Sequence, residues 1–280
     1  MPEDKIVSHA KVGIIGGGIM GVSLLYHLAK EGWKDLVLLE KGELTSGSTW
    51  HAAGQCPHFV GSYNLAKVHH HSTELYKKLE QETGQATGWH GCGSLRLAYK
   101  QEDLEWFHYV KGILDNVGSP AKIISTQEIP KIHPFIKSDG IIGALHTPED
   151  GHTDPSSTTN AMAIGARNGG AKIYRHNRVI DIKSRPSGEW ELITEKGNII
   201  CEHVVNAAGS YCPEVGHMVG LKNIPSINMI HHYLVTEEHP AIKKLKRELP
   251  VVRDPHSSCY LRQEGKGLLI GIYEKDAKCW

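Results

Sequence analysis

A glycine-rich turn set between an apolar strand and a periodic helix fixes most of what the front of this chain can fold into. Lys11 to Ile15 reads as a short buried strand and runs straight into Gly16-Gly17-Gly18-Ile19-Met20-Gly21. Apolar residues then recur at helical spacing to about Lys30, Gly32 supplies the stop, and Leu36 to Glu40 is a second strand. The result is a βαβ unit, whose strands run parallel because a helix connects them. Gly16, Gly18 and Gly21 carry GxGxxG spacing, and each serves a physical purpose, in turn a tight bend, close backbone approach to a pyrophosphate, and close packing of helix on strand. Ile19 and Met20 open the helix, whose first N–H groups and positive dipole end suit phosphates. Glu40, 19 residues past Gly21 and followed by Lys41, stands where a carboxylate accepts hydrogen bonds from an adenosine ribose. Such a unit accepts NAD or FAD.

Further along, Asn64 to Glu82 places Leu65, Val68, Leu75, Tyr76 and Leu79 on one helical stripe, and a second helix covers Gln101 to Val117. Ser94-Leu95-Arg96-Leu97 alternates as a strand does. From Gly140 strand signals dominate: Ile141 to Leu145, then a helix opened by Asp154 and Pro155, then segments at Ile173, Val179 to Ile182, Trp190 to Ile193 and Ile199 to Val205. The expected fold is α/β: a Rossmann-type dinucleotide domain (1–88 and 148–212) with an attached mixed-sheet, α+β domain (89–147 and 213–280).

Lys+Arg and Asp+Glu each total 31 in 280 residues, and no basic block tracks a phosphate backbone, which argues against a nucleic-acid partner. Six cysteines without a CxxC pair read as free thiols of a reducing compartment. Met1 to Ala10 is short and charged, without a signal or transit pattern, so cytoplasm is the expected location. Val12 to Val22 is glycine-interrupted and too short to cross a bilayer, so no membrane is expected as a partner. His69-His70-His71 point about 100° apart on a helix and cannot share an ion, and the other histidines show no paired spacing. No metal is expected.

After the second strand comes Thr45-Ser46-Gly47-Ser48-Thr49-Trp50-His51-Ala52-Ala53-Gly54, where small residues and hydroxyls surround one imidazole. With Leu38-Leu39-Glu40 before it, and Asp150-Gly151-His152, Val205-Asn206-Ala207-Ala208-Gly209 and Arg247 to Asp254 further on, this segment resembles the dimethylglycine dehydrogenase and sarcosine dehydrogenase group of the D-amino-acid-oxidase-like flavoproteins. The resemblance implies FAD rather than NAD, bonded covalently through His51. It places the flavin along Gly47, Ser48, Thr49, His51, Ala52, Ala53, Gly54 and Gln55, with Val179 near the adenine and Gly209 in the turn closing over the cofactor. It also implies oxidative demethylation of dimethylglycine or sarcosine by hydride transfer, with His231 and Tyr260 facing the amine. Histidine titrates near neutrality, which suits control of amine protonation. The substrate carboxylate wants a fixed cation, and Arg262 or Arg253 can supply it.

The family's pattern continues past Trp280 with a glycine-rich segment covering the flavin and then a folate-binding domain, so this chain reads as a fragment or one piece of a split protein. Tetrahydrofolate enters only if such a C-terminal part exists, in the same chain or a separate one; the electron acceptor is open. Two rivals share the fold: a non-catalytic subunit like the regulatory subunit of pyruvate dehydrogenase phosphatase, and a glycine or sarcosine oxidase-type enzyme.

Overall fold

The computed structural model describes residues 5–279; the first four residues of the Met1–Ala10 segment, and Trp280, lie outside the described residues. Two compact units form: Met1–Ala52 with Leu79–Thr87 and Asp154–Asn228, and Ala53–Lys78 with Gly88–Thr153 and Met229–Trp280.

The first unit holds a six-stranded sheet in the order Lys172–Tyr174, Leu36–Leu39, His9–Ile15, Gly197–Asn206, Trp190–Thr194, Val179–Ser184. The first three junctions are parallel and the last two antiparallel. Leu36 to Leu39 are all buried, the near-continuous apolar run of a strand covered on both faces. Helix Ile19–Lys30 buries Gly21, Val22, Leu25, Tyr26 and Ala29, the three-and-four spacing of one face. Its Tyr26 ring lies across Gly165 of helix Pro155–Asn168, where a Cβ would stand 2.6 Å from the ring. Glycine there lets the two helices meet. Asp154 caps the second helix by accepting the Ser157 N–H at 2.6 Å, with Pro155 in the first turn.

The second unit is built on a seven-stranded sheet, His232–Val235, Gly267–Ile272, Cys259–Glu264, Val251–Asp254, Ser94–Ala98, Gly143–Thr147, Lys122–Ile124. Only the junction of Val251–Asp254 with Ser94–Ala98 is parallel; the others are antiparallel. Helix Gln101–Val117 lays Phe107, Val110 and Leu114 over this unit's core, alongside Ala66, Ala121 and Leu145. The α/β architecture with a mixed second sheet agrees with the sequence reading.

Two expectations need correction. Residues 53–78 group with the second unit rather than with 1–88, because Ala66 packs among Phe107, Val110 and Leu114. Residues 213–228 group with the first, because Val215 enters its core beside Val179 and Ile182. Likewise, helix Tyr63–Thr83 turns Leu65 and Val68 to solvent, at 52% and 58% exposure, and buries Ala66, Thr73, Leu75 and Leu79. A hydroxyl and a small side chain occupy the inner face because Thr73 joins a buried hydrogen-bond chain: its Oγ1 pairs with His58 Nε2 at 2.8 Å, and His58 Nδ1 with Asp150 at 2.6 Å.

His133 is 2% exposed and neither ring nitrogen has a hydrogen-bond partner. Burial pushes its pKa down to about 4. A folded-state value below the unfolded one, near 6.5, means stability is full above pH 6.5 and is lost as pH falls toward 4. His133→Leu is therefore expected to remove up to ~3 kcal/mol of acid destabilisation in that window. Urea unfolding at pH 7 and pH 4.5 checks this: an unchanged difference between the two pH values would refute it.

Candidate functional site: a dinucleotide cradle and an arginine-aromatic cluster

In the first unit, Gly16 sits at φ +117°, and a Cβ there would strike the Ala207 carbonyl; a Cβ on Gly21 would strike the Gly16 carbonyl. These two positions fold strand, turn and helix tightly together. Gly18 meets only Thr49 Oγ1, at 3.0 Å, and otherwise leaves the turn open for a ligand. The Ile19 N–H donates to Thr49 Oγ1 at 3.0 Å, so one helix-start donor expected to be free is occupied by the very loop predicted to hold the cofactor. Met20, 74% exposed, lies on the outer face of the same turn.

Glu40 has a structural role. Its Oε2 accepts the Gly17 N–H and its Oε1 the Gly42 N–H, both at 2.7 Å, tying the glycine turn to the strand end. Each carboxylate oxygen retains a further acceptor position for a ribose hydroxyl. Lys41 Nζ stands 3.1 Å from the Tyr211 ring centroid. Glu40, Lys41, Val179, Ala208 and Tyr211 line one pocket, with Gly209 at φ +57° opening the turn that carries Tyr211.

Thr45 to His51 run as consecutive turns, with Gly47 in open space and Ser48 exposed. His51 is exposed and its ring packs 3.8 Å from that of Trp50, centroid to centroid. Ala52, also exposed, donates its N–H to Thr49.

In the second unit, Arg262 Nε donates to the Ala53 carbonyl at 2.8 Å, and the Thr153 N–H to the Gly54 carbonyl at 2.9 Å. Gln55–Cys56 pairs antiparallel with Gly151–His152. Arg262 is thereby taken: besides Ala53 it binds the Gln263 carbonyl and Glu264. Of the two arginines offered for the substrate, it holds the backbone instead.

Tyr260 and His231 are brought together by the sheet. Tyr260 is 5% exposed and lies over Gly271 on the next strand, where a Cβ would run into its ring. The His231 ring lies 6.2 Å from Tyr260 and stacks on Tyr273 at 4.9 Å. Burial, then the neighbouring Tyr273, push the Tyr260 hydroxyl above its ordinary pKa, so it stays protonated. Glu274 bonds His231 Nδ1 at 3.1 Å and His232 Nδ1 at 3.2 Å. Its own backbone N–H, helped by both imidazoles, holds that carboxyl at about 2. Arg253 sits over the rings of Tyr260 and Tyr273, at 5.0 and 5.8 Å, and donates to the Tyr273 hydroxyl.

The sequence missed Tyr273, Glu274 and Arg96, the last being the direct neighbour of Arg253 across the parallel junction. Spacing also hid two imidazole clusters assembled from distant segments. His90 Nδ1 and His152 Nε2 bond the two oxygens of Glu248 at 2.7 and 2.6 Å, while the ligand-capable atoms of His58, His70 and Glu149 lie within 4.8 Å of one another. In the triplet, His70 bonds Ser119 at 2.7 Å and His69 the Pro57 carbonyl at 2.8 Å.

A Rossmann-type sheet with a glycine cradle, joined in one chain to a mixed sheet bearing an arginine-aromatic cluster, defines a dinucleotide-dependent oxidoreductase class of fold. The chain belongs to the FAD dependent oxidoreductase family, whose sequence pattern matches residues 11–278, and its dinucleotide is FAD. It is 47% identical over 277 residues to the mitochondrial dimethylglycine dehydrogenase of Rattus norvegicus, covering 99% of this chain and 32% of that protein. It is 36% identical over 276 residues to the mitochondrial pyruvate dehydrogenase phosphatase regulatory subunit of Mus musculus, covering 97% of this chain and 31% of that one. The L-proline dehydrogenase of P. horikoshii superimposes with a TM-score of 0.83 at 29% identity, over 95% of this chain and 70% of that one. The chain thus spans about a third of the length of these curated relatives. No helix among the described residues is long and apolar enough to cross a membrane.

The residues present fit FAD. Gly16 and Gly21 form a cradle any side chain would fill, and both amide atoms of Gln55, the last residue of the segment expected along the flavin, are buried without a partner.

Proposed function

We propose that this chain is the flavin-binding and substrate-binding part of an amine dehydrogenase that demethylates an N-methylated glycine, dimethylglycine or sarcosine. The observation that carries this reading is the His231-Tyr260-Tyr273-Arg253 cluster, in a chain whose relative of 47% identity is a dimethylglycine dehydrogenase. In this assignment the first unit is the FAD domain and the second the substrate domain. Gly16, Gly18, Ile19, Met20 and Gly21 receive the pyrophosphate, Glu40 and Lys41 the adenosine with Val179, and Gly47 to Gln55 together with Gly209 the rest of the cofactor, with His51 as the point of attachment.

Bound FAD supplies a hydride acceptor. The chain's own residues do the placing and the proton control. Amine oxidation needs an unprotonated nitrogen, and Glu274, ionised and able only to accept, fixes the Nδ1 proton of His231, leaving Nε2 to take a proton from the ammonium. The Tyr260 hydroxyl, protonated at working pH, donates to the substrate. Tetrahydrofolate would take up the one-carbon product only where a C-terminal folate-binding part exists, in the same chain or a separate one, and the electron acceptor is left open. The six free thiols suit a reducing compartment: cytoplasm is the one expected, the mitochondrion is that of the mammalian relatives, and cell fractionation decides between them.

Anaerobic mixing of the flavin-loaded protein with dimethylglycine or sarcosine is expected to bleach the flavin, and the imine formed in that step to hydrolyse with water to formaldehyde and the demethylated amine. Flavin that neither amine bleaches would favour the rival subunit reading, which the 36% identity to the phosphatase regulatory subunit supports.

A further inference from the structure

Two imidazoles and a carboxylate from three distant segments of the second unit converge at one point. His90 Nδ1 and His152 Nε2 bond the two oxygens of Glu248 at 2.7 and 2.6 Å, and the ligand-capable atoms of all three lie within 4.8 Å of one another. The two rings stack 4.7 Å apart and 9° from parallel, which brings both nitrogens to the same carboxylate. The backbone builds this set. His90 and His152 exchange N–H···O bonds at 2.8 and 3.1 Å, and Gly151 permits their approach, since a Cβ there would strike the His90 carbonyl. On the Glu248 side, the Leu249 N–H donates to the Gln263 side chain at 3.1 Å and the Val251 N–H to the Gly93 carbonyl at 2.9 Å. The cluster opens onto a cavity of about 350 Å³ whose wall also carries Lys246, Arg247, Arg262 and Lys266. The other close set, His58 with His70 and Glu149, differs in kind: both His58 nitrogens are taken, by Asp150 and Thr73. In the first set the imidazoles bond a fellow member, so a cation can replace the shared protons without stranding a polar group.

We propose that His90, His152 and Glu248 bind a zinc-class divalent cation, with water or a small anion at the position facing the cavity. Two imidazole nitrogens and a carboxylate oxygen suit Zn²⁺, whereas Mg²⁺ and Ca²⁺ take oxygen ligands. Bonds of about 2.0–2.2 Å hold the donor atoms of such a site roughly 3–4 Å apart. His152, with 7% of its side chain exposed, is the fixed member, and His90, at 51%, has room for the small ring rotation that tightens the set. Of the cations on the cavity wall, Arg262 is paired with Glu264 and Arg247 donates to the Lys131 and Ile132 carbonyls, while Lys246 and Lys266 favour an anion, hydroxide included, at the open position. The ion ties three segments together. Because His152 pairs with Gln55, the tie reaches the end of the segment expected along the flavin. Spacing along the chain, which argues against a metal, does not register a set whose histidines lie 158 and 96 residues from Glu248. The site stands whichever amine the flavin oxidises.

The test uses the metal alone on the intact, flavin-loaded protein after treatment with a chelator. Calorimetric titration with Zn²⁺ is expected to show a one-to-one site with a Kd below about 100 μM, which Mg²⁺ does not compete for. His90→Asn and Glu248→Gln should each weaken that binding by about 100-fold or more, since losing a ligand costs at least what losing a ligand's supporting partner does. Zn²⁺ should also raise the melting temperature of the parent and leave that of both variants in place. Flavin content and melting temperature in chelator certify that each variant is folded. Should Glu248→Gln fail to fold, His90→Asn decides, because its position is half exposed. Zn²⁺ binding weaker than about 100 μM in the parent, or equally tight binding in folded His90→Asn, would overturn the site.

Discussion

His51→Ala is expected to leave a folded protein whose flavin comes away entirely on acid precipitation, whereas the parent keeps its flavin through denaturation. On the proposed attachment the effect is all-or-none, because the substitution removes the nitrogen that would form the bond rather than weakening a contact. Folding should hardly notice. His51 is exposed and its main partner is the Trp50 ring at 3.8 Å, a contact worth on the order of 1 kcal/mol. Gly16→Val provides the contrast, since its side chain must displace the Ala207 carbonyl while abandoning a φ of +117°. That variant should lose flavin loading and stability together. Fluorescence of the denatured chains on a gel, with melting curves beside it, reads both outcomes, and a fluorescent His51→Ala band would end the attachment assignment.

The cradle was legible in the sequence because its determinants are local: Gly16, Gly18, Gly21 and Glu40 lie within one strand-helix-strand unit, and their spacing encodes their geometry. Even there the sequence could not show that Glu40 carries two backbone hydrogen bonds, since Gly17 and Gly42 are polar only through their amides. Glu40→Gln, which forfeits an acceptor, must therefore cost folding as well as the proposed ribose contact. The second unit was less legible because its decisive pairings span the chain. Nothing near Arg96 announces Arg253, 157 residues on; only the parallel register sets them side by side. Arg96 alternates with Leu95 and Leu97 as a solvent-facing strand residue would. The helix after residue 63 misled for another reason. Hydropathy marks Leu65 and Val68 as the inner stripe, but the chain from Thr73 through His58 to Asp150 pulls a polar face inward, and buried hydrogen bonding outranks periodicity there.

Tyr260→Phe and His231→Gln should slow flavin reduction by dimethylglycine or sarcosine by about 10²- to 10⁴-fold while leaving flavin content intact. Tyr260→Phe isolates the hydroxyl, because the ring that lies over Gly271 and beneath Arg253 is kept. Its loss should lower the rate at every pH up to the raised titration of the phenol, since the group is a donor throughout that range. His231→Gln removes a proton acceptor, so its deficit should depend on pH, shrinking where the free amine already predominates in solution. Glu274 separates a proton role from a packing role. With its carboxyl held at about 2 it is charged at any working pH and accepts from His231 Nδ1; Glu274→Gln keeps the shape but withdraws that charge, and should slow flavin reduction without loss of flavin content or melting temperature. Stopped-flow reduction from pH 6 to 10 in all three variants is the measurement. Rates unchanged in Tyr260→Phe and His231→Gln, or a Glu274→Gln rate that falls only together with melting temperature, would make these side chains ordinary supports of the sheet.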